Sequence, residues 1–140
     1  MDFSSVNIAG VLIAFLVNFV VGFIWFGPKT FFPVWWKAIG KTGDPGADAD
    51  MKVVFTSTAV AGLVSASGLA LIFDLLTRTG RQIGPALGLG TGLTVGIMVM
   101  AAPALSHRLF AGNGFKVWLL EIGADVLGFA LMGVALSYFY

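Results

Sequence analysis

The chain has 140 residues, room for a single domain (residues 1–140), and its composition identifies the solvent it folds in. Soluble domains are about 45–50% apolar and about a quarter charged; this chain is 58% hydrophobic and 11% charged, with a mean hydropathy of +0.95, too few charges to cover a surface in water. A net charge of +1 leaves no electrostatic footprint for nucleic acid, and the lack of cysteine excludes disulfides, thiolate metal sites and cysteine nucleophiles.

A membrane-crossing helix needs about 20 predominantly apolar residues. The first such run covers about Val6–Phe26. Met1 to Ser5 carry no basic residue, and the run ends in Trp25-Phe26-Gly27-Pro28 rather than a small-residue cleavage site, so it reads as a retained helix rather than a signal peptide. Gly10, Ala14, Asn18 and Gly22 recur every four residues along it, forming one narrow ridge.

The first loop is the long one. Lys29 to Gly40 sets Phe31, Phe32, Trp35 and Trp36 beside Lys29 and Lys37. Aromatic rings among lysines belong at headgroup level, which predicts an interfacial segment, helical after Pro33, with Trp25, Trp35 and Trp36 as anchors. From Lys41 to Asp50 the loop turns polar. Asp44, Asp48 and Asp50 do not complete a calcium-loop pattern, so the expectation is a solvated linker with Asp48 or Asp50 capping the next helix.

The second span, about Val53–Leu76, carries Gly62, Ala66 and Ala70 on one face and Asp74 near its far end, within reach of Arg78. A charged turn, Arg78 to Gln82, leads into the third span, about Ile83–Leu105. There Gly84, Gly88, Gly92 and Gly96 recur every four residues, a groove without side chains into which another helix packs, in this chain or in a second one. His107 to Lys116 is expected to form a loop, and lone His107 lacks partners at metal-ligand spacing. The fourth span, about Val117–Tyr140, ends in Tyr138, Phe139 and Tyr140, an expected aromatic anchor. The fold class is therefore all-α: an integral membrane bundle of four transmembrane helices with an interfacial aromatic segment after the first.

Basic residues orient it. Six of them (Lys29, Lys37, Lys41, Lys52, Arg108 and Lys116) flank one side, against Arg78 and Arg81 on the other. The positive-inside rule then puts the long first loop in the cytoplasm and both termini outside.

Acids inside a membrane helix need a reason, because each costs about 2.5–3.5 kcal/mol at the centre on insertion scales. Glu121 and Asp125 are one turn apart on one face, at depths of about 7 and about 13 Å from Lys116 at about 1.5 Å per residue. Two acids this close in low dielectric resist joint ionisation, so at least one is expected to be neutral or paired. Asn18 lies in the half of its helix nearest the same side, and Arg108, Lys116 and His107 are at that interface. Asn18, Glu121 and Asp125 thus form a candidate polar cluster. For Asp125, proton or cation handling and a buried hydrogen-bond network are equally supported; for Glu121 and Asn18 the structural role is favoured. No nucleophile elbow, phosphate-binding glycine loop or His/Cys cluster appears, so no catalytic residue, cofactor or metal is assigned.

The run Gly22-Phe23-Ile24-Trp25-Phe26-Gly27-Pro28, followed by Phe31, Trp35, Lys37 and Gly40, resembles the signature region of the bacterial domain of unknown function 1761 membrane proteins. The stretch Arg108-Leu109-Phe110 through Lys116, Glu121, Gly123 and Met132-Gly133 is similar to the last helix of that family. Phe26 stands where the family more often has tyrosine, Glu121 where aspartate is common, and Asp125 near a histidine position. The resemblance implies four helices in a cell (plasma or inner) membrane and Glu121 as a recurring acidic position, and implies no activity. Two functions remain in view: a small oligomeric transporter or channel-like protein with the acids lining a polar path, and a non-catalytic accessory or assembly subunit packing through the third-helix groove. Both have the lipid bilayer as surroundings and a homo-oligomer or a membrane-protein partner as the expected company. A membrane enzyme acting on lipid ranks last.

Overall fold

The computed structural model describes residues 5–44 and 50–140 and is all-helical there. Four helices are long and apolar enough to cross a membrane: Ile8–Trp25 (α1), Met51–Arg78 (α3), the continuous run Pro85–Phe110, and Gly114–Leu136 (α6). A short helix, Phe32–Ala38 (α2), follows the first, and Phe26, Phe32, Trp35 and Trp36 stack along it with ring centroids 5.6–6.0 Å apart. The chain is a multi-span membrane protein with an aromatic segment after its first helix.

Local chemistry sets the ends. Asn7 caps α1, its Oδ1 accepting from the Gly10 amide at 3.0 Å. At the other end the Thr30 hydroxyl lies 2.5 Å from the Ile24 carbonyl and 2.8 Å from that of Trp25, sharing its one hydrogen with terminal carbonyls that also accept from the Gly27 and Phe31 amides. Asp50 caps α3, accepting from the amides of Lys52 and Val53; Asp48, the other cap considered, lies outside the described residues. Asp74 pairs with Arg78 at 2.8 Å, and Arg78 also donates to the Ser5 hydroxyl.

The third span differs from expectation in two ways. It does not stop at Leu105 but runs to Phe110, so His107 and Arg108 are on a helix and the following connection shrinks to residues 111–113. Basic side chains in a last turn suit the negative end of the helix, and Gly112 at φ 75° supplies the stop. The run is also not uniformly α-helical. Pro85–Thr94 (α4) gives way to a π-helical segment, Val95–Ala101, before Ala102–Phe110 (α5). Pro103 accounts for the change: it has no amide hydrogen, and its ring would strike the carbonyl four residues back. Widening the preceding turns avoids the clash, and the Ala102 amide reaches Ile97, five residues back.

Helix α6 is the hub, touching every other element. In lipid, where apolar contact alone gives no driving force, close packing holds such a bundle together. A Cβ built on Gly88 or Gly92 would run into the backbone of Gly133 or Phe129, so α4 and α6 meet main chain to main chain. At Gly96 the nearest atom is the Val126 Cα at 3.0 Å; at Gly84 and Gly90 nothing lies within 4 Å. The main core, with Ala14, Leu69, Phe73, Met132 and Leu136, fills the half of the bundle near the chain termini. Tyr140 packs in this half, its hydroxyl accepting from the Asn7 amide at 3.0 Å and its ring lying near Phe73. In the other half, residues 51–58 of α3 are exposed throughout, and the interior between α1, α5 and α6 stays open.

Candidate functional site

The open half of the bundle holds a cavity of about 320 Å³. Phe26, Trp118 and Ile122 give it apolar walls, while Arg108, Glu121 and Asp125 supply its charge. Each is positioned by a feature already described. The extension of the third span brings Arg108 level with α6; the Gly27-Pro28 break leaves Phe26 at the mouth; the helical repeat puts Glu121 and Asp125 on one face.

Glu121 is fully engaged. Its Oε2 is 2.6 Å from Arg108 Nε, and its Oε1 accepts from Trp35 Nε1 at 2.9 Å. One carboxylate therefore joins α6, the end of α5 and the short helix α2. Two further indoles reinforce the joint: Trp25 Nε1 donates to the Leu120 carbonyl at 2.8 Å, and Trp118 Nε1 to that of Ala101, the last residue of the π-helical segment, at 3.0 Å. Trp25 can lie this close because α6 has glycine at position 123, where a Cβ would meet the indole ring at 2.6 Å. Trp25 and Trp35 thus serve as structural donors. Trp36 stacks on Phe32 with Lys41 Nζ 5.1 Å from its ring centre, and its buried Nε1 has no partner among the described residues.

Asp125 contrasts with Glu121. It lines the same cavity, is exposed within the single chain, and has no ion pair or hydrogen bond among the described residues. Asn18 does not join the acids. Its amide sits where α1 crosses α6 and α3, against Gly128 and Gly62, and it makes no hydrogen bond to Glu121 or Asp125. Of the three residues grouped from sequence, the structure brings two to one cavity and sets Asn18 at a helix crossing. Trp35, Trp118 and Phe26 were not grouped with the acids. For Trp35 and Trp118 the signal was present, because a partly buried indole N–H seeks an acceptor. Among the described residues no group of His, Cys, Asp and Glu has the geometry to hold a metal ion.

Among curated proteins and among solved structures, nothing matches the chain. A family model does, over residues 9–137, which takes in all but the first residue of the four spans, the short helix α2 and the whole cavity. The chain belongs to the family described as "Protein of unknown function (DUF1761)".

Proposed function

We propose that the protein is a small oligomeric transporter or channel-like protein in which Asp125 is the exchanging group and Glu121 a structural anchor. The observation that carries this reading is the contrast between the two acids. Glu121 has a cation and an indole donor of its own, whereas Asp125 stands one turn deeper on a cavity wall with no partner among the described residues. An intramembrane carboxyl left unpartnered is available to a proton or a cation. Its exposure in a single chain also favours assembly, since a second copy over the open half would shield it from acyl chains. The accessory-subunit reading loses support, because α6 of the same chain fills the groove at Gly88, Gly92 and Gly96.

Proteoliposomes with a pH-sensitive dye inside test the proposal. The parent should dissipate a pH or cation gradient, and Asp125→Asn, matched in size, should lose that flux while keeping its elution profile and melting temperature. Equal flux from both, or none from the parent with any alkali cation or proton gradient, removes the proposal.

The orientation proposed for the chain puts the long loop in the cytoplasm, supported by the six-to-two distribution of basic residues. Single cysteines at Thr42 and Thr79, probed with an impermeant thiol reagent in intact cells, should label at Thr79→Cys only. Labelling at Thr42→Cys alone would invert the assignment.

A further inference from the structure

A second concavity, of about 490 Å³, opens at the end of the bundle where α2 meets the start of α6. Pro33, Val34 and the buried Val117 give it an apolar lining; Lys37, Lys116 and Asn113 give it a polar rim. The two lysines come from different elements, Lys37 from the last turn of α2 and Lys116 from the first turn of α6. Neither has a carboxylate partner among the described residues, and none of the lining residues is acidic. The Asn113 side chain does not cap α6, so the first-turn amides at the positive end of that helix have no side-chain acceptor from it. Two ammonium groups without an acidic partner among the described residues, an amide and a helix N-terminus therefore converge over an apolar floor, on the element that carries the aromatic rings of Phe32, Trp35 and Trp36.

We infer that the groove between α2 and α6, with Lys37, Asn113 and Lys116, binds the phosphate headgroup of an anionic phospholipid. The lysines and the helix end meet the phosphate, and the apolar floor takes the start of an acyl chain. The position argues for a lipid over a free anion: the groove lies beside the first turn of a helix long and apolar enough to cross a membrane, and half its named lining is hydrocarbon. The inference is independent of the role of Asp125, which lines the other cavity.

The test uses the full chain in a neutral detergent, titrated with phosphatidylglycerol, with phosphatidylcholine or with inorganic phosphate. Melting temperature and retained lipid in native mass spectra are the readouts. Phosphatidylglycerol should bind and stabilise, while phosphatidylcholine and inorganic phosphate should do neither. The Lys37→Gln/Lys116→Gln variant should bind phosphatidylglycerol about 30-fold more weakly, at about a fivefold loss per lysine at an anionic surface. Lys29→Gln/Lys52→Gln removes the same charge from the same side and should bind like the parent. Both lysines of the groove are exposed, so neither change threatens the fold. The inference is overturned by equal binding of phosphatidylcholine, by equal losses in the two double variants, or by inorganic phosphate displacing the lipid at millimolar concentration.

Discussion

Gly92→Ala should destabilise the bundle, whereas Gly90→Ala, two residues away on the same helix, should leave it unchanged or slightly more stable. Alanine is the better helix former by about 0.5–1 kcal/mol, so helix propensity alone predicts a gain at both positions. Space decides otherwise at Gly92. Its Cβ would fall on the Phe129 carbonyl and within 2.9 Å of the Ala130 Cα, all main chain, so no side-chain rotation relieves the clash and α4 must move off α6. Overpacking of a close interface costs about 1–3 kcal/mol, which outweighs the propensity gain. At Gly90 nothing lies within 4 Å of the added methyl. Gly88→Ala should behave like Gly92→Ala, because its Cβ meets the Gly133 backbone. Thermal melts in one detergent read all three variants. Parallel shifts at Gly90 and Gly92 would mean that the α4–α6 contact does not hold the bundle together.

That contrast also shows how far the sequence could be read. The four spans and the aromatic segment follow from hydrophobic run length and from where Trp, Pro and Lys cluster, local properties that the bilayer enforces. The fourfold glycine repeat marked a packing face, but periodicity names no partner: whether α6 or a second chain fills a groove depends on the whole bundle. Pro103 was visible in the sequence. Its π-helical consequence was not, since a proline in a long helix can kink it, widen it or end it, depending on its neighbours. The extension of the helix through Arg108 depends on the same neighbours, and with it the level at which Arg108 meets α6. Glu121 and Asp125 share a helix face by spacing alone, and that much was legible. That one would be held by Arg108 and Trp35 while the other stayed free depends on contacts across 13 and 86 residues of chain. Asn18 was placed with the acids on depth alone. Rotation about the helix axis, which depth does not fix, turns it to Gly62 and Gly128 instead.

Replacing Glu121 should have the largest effect of any single change at the cavity. Its carboxylate accepts from two charged or polar donors on two other elements, so Glu121→Ala strands both Arg108 and Trp35. The Arg108 side chain is 44% exposed against 21% for Glu121, so water recovers part of the loss at the guanidinium and less at the indole. Hydrogen bonds to charged groups contribute about 1.5–3 kcal/mol each, and with that screening the expected destabilisation is about 2–3 kcal/mol in total. Glu121→Gln should cost less, since an amide oxygen still accepts from Trp35, but it leaves Arg108 without a counter-charge in the cavity that Asp125 also lines. The guanidinium is then free to pair with the carboxyl that the transport reading needs unoccupied, so flux should fall in Glu121→Gln although Asp125 is intact. Arg108→Gln made in the same background removes the misplaced partner and should restore flux, while Arg108→Gln alone should lower stability without blocking transport. A cycle of these variants, read by melting temperature and by liposome flux, separates anchoring from exchange. If Glu121→Gln transports like the parent, Arg108 is held in place by something other than Glu121, and the division of labour between the two acids is wrong.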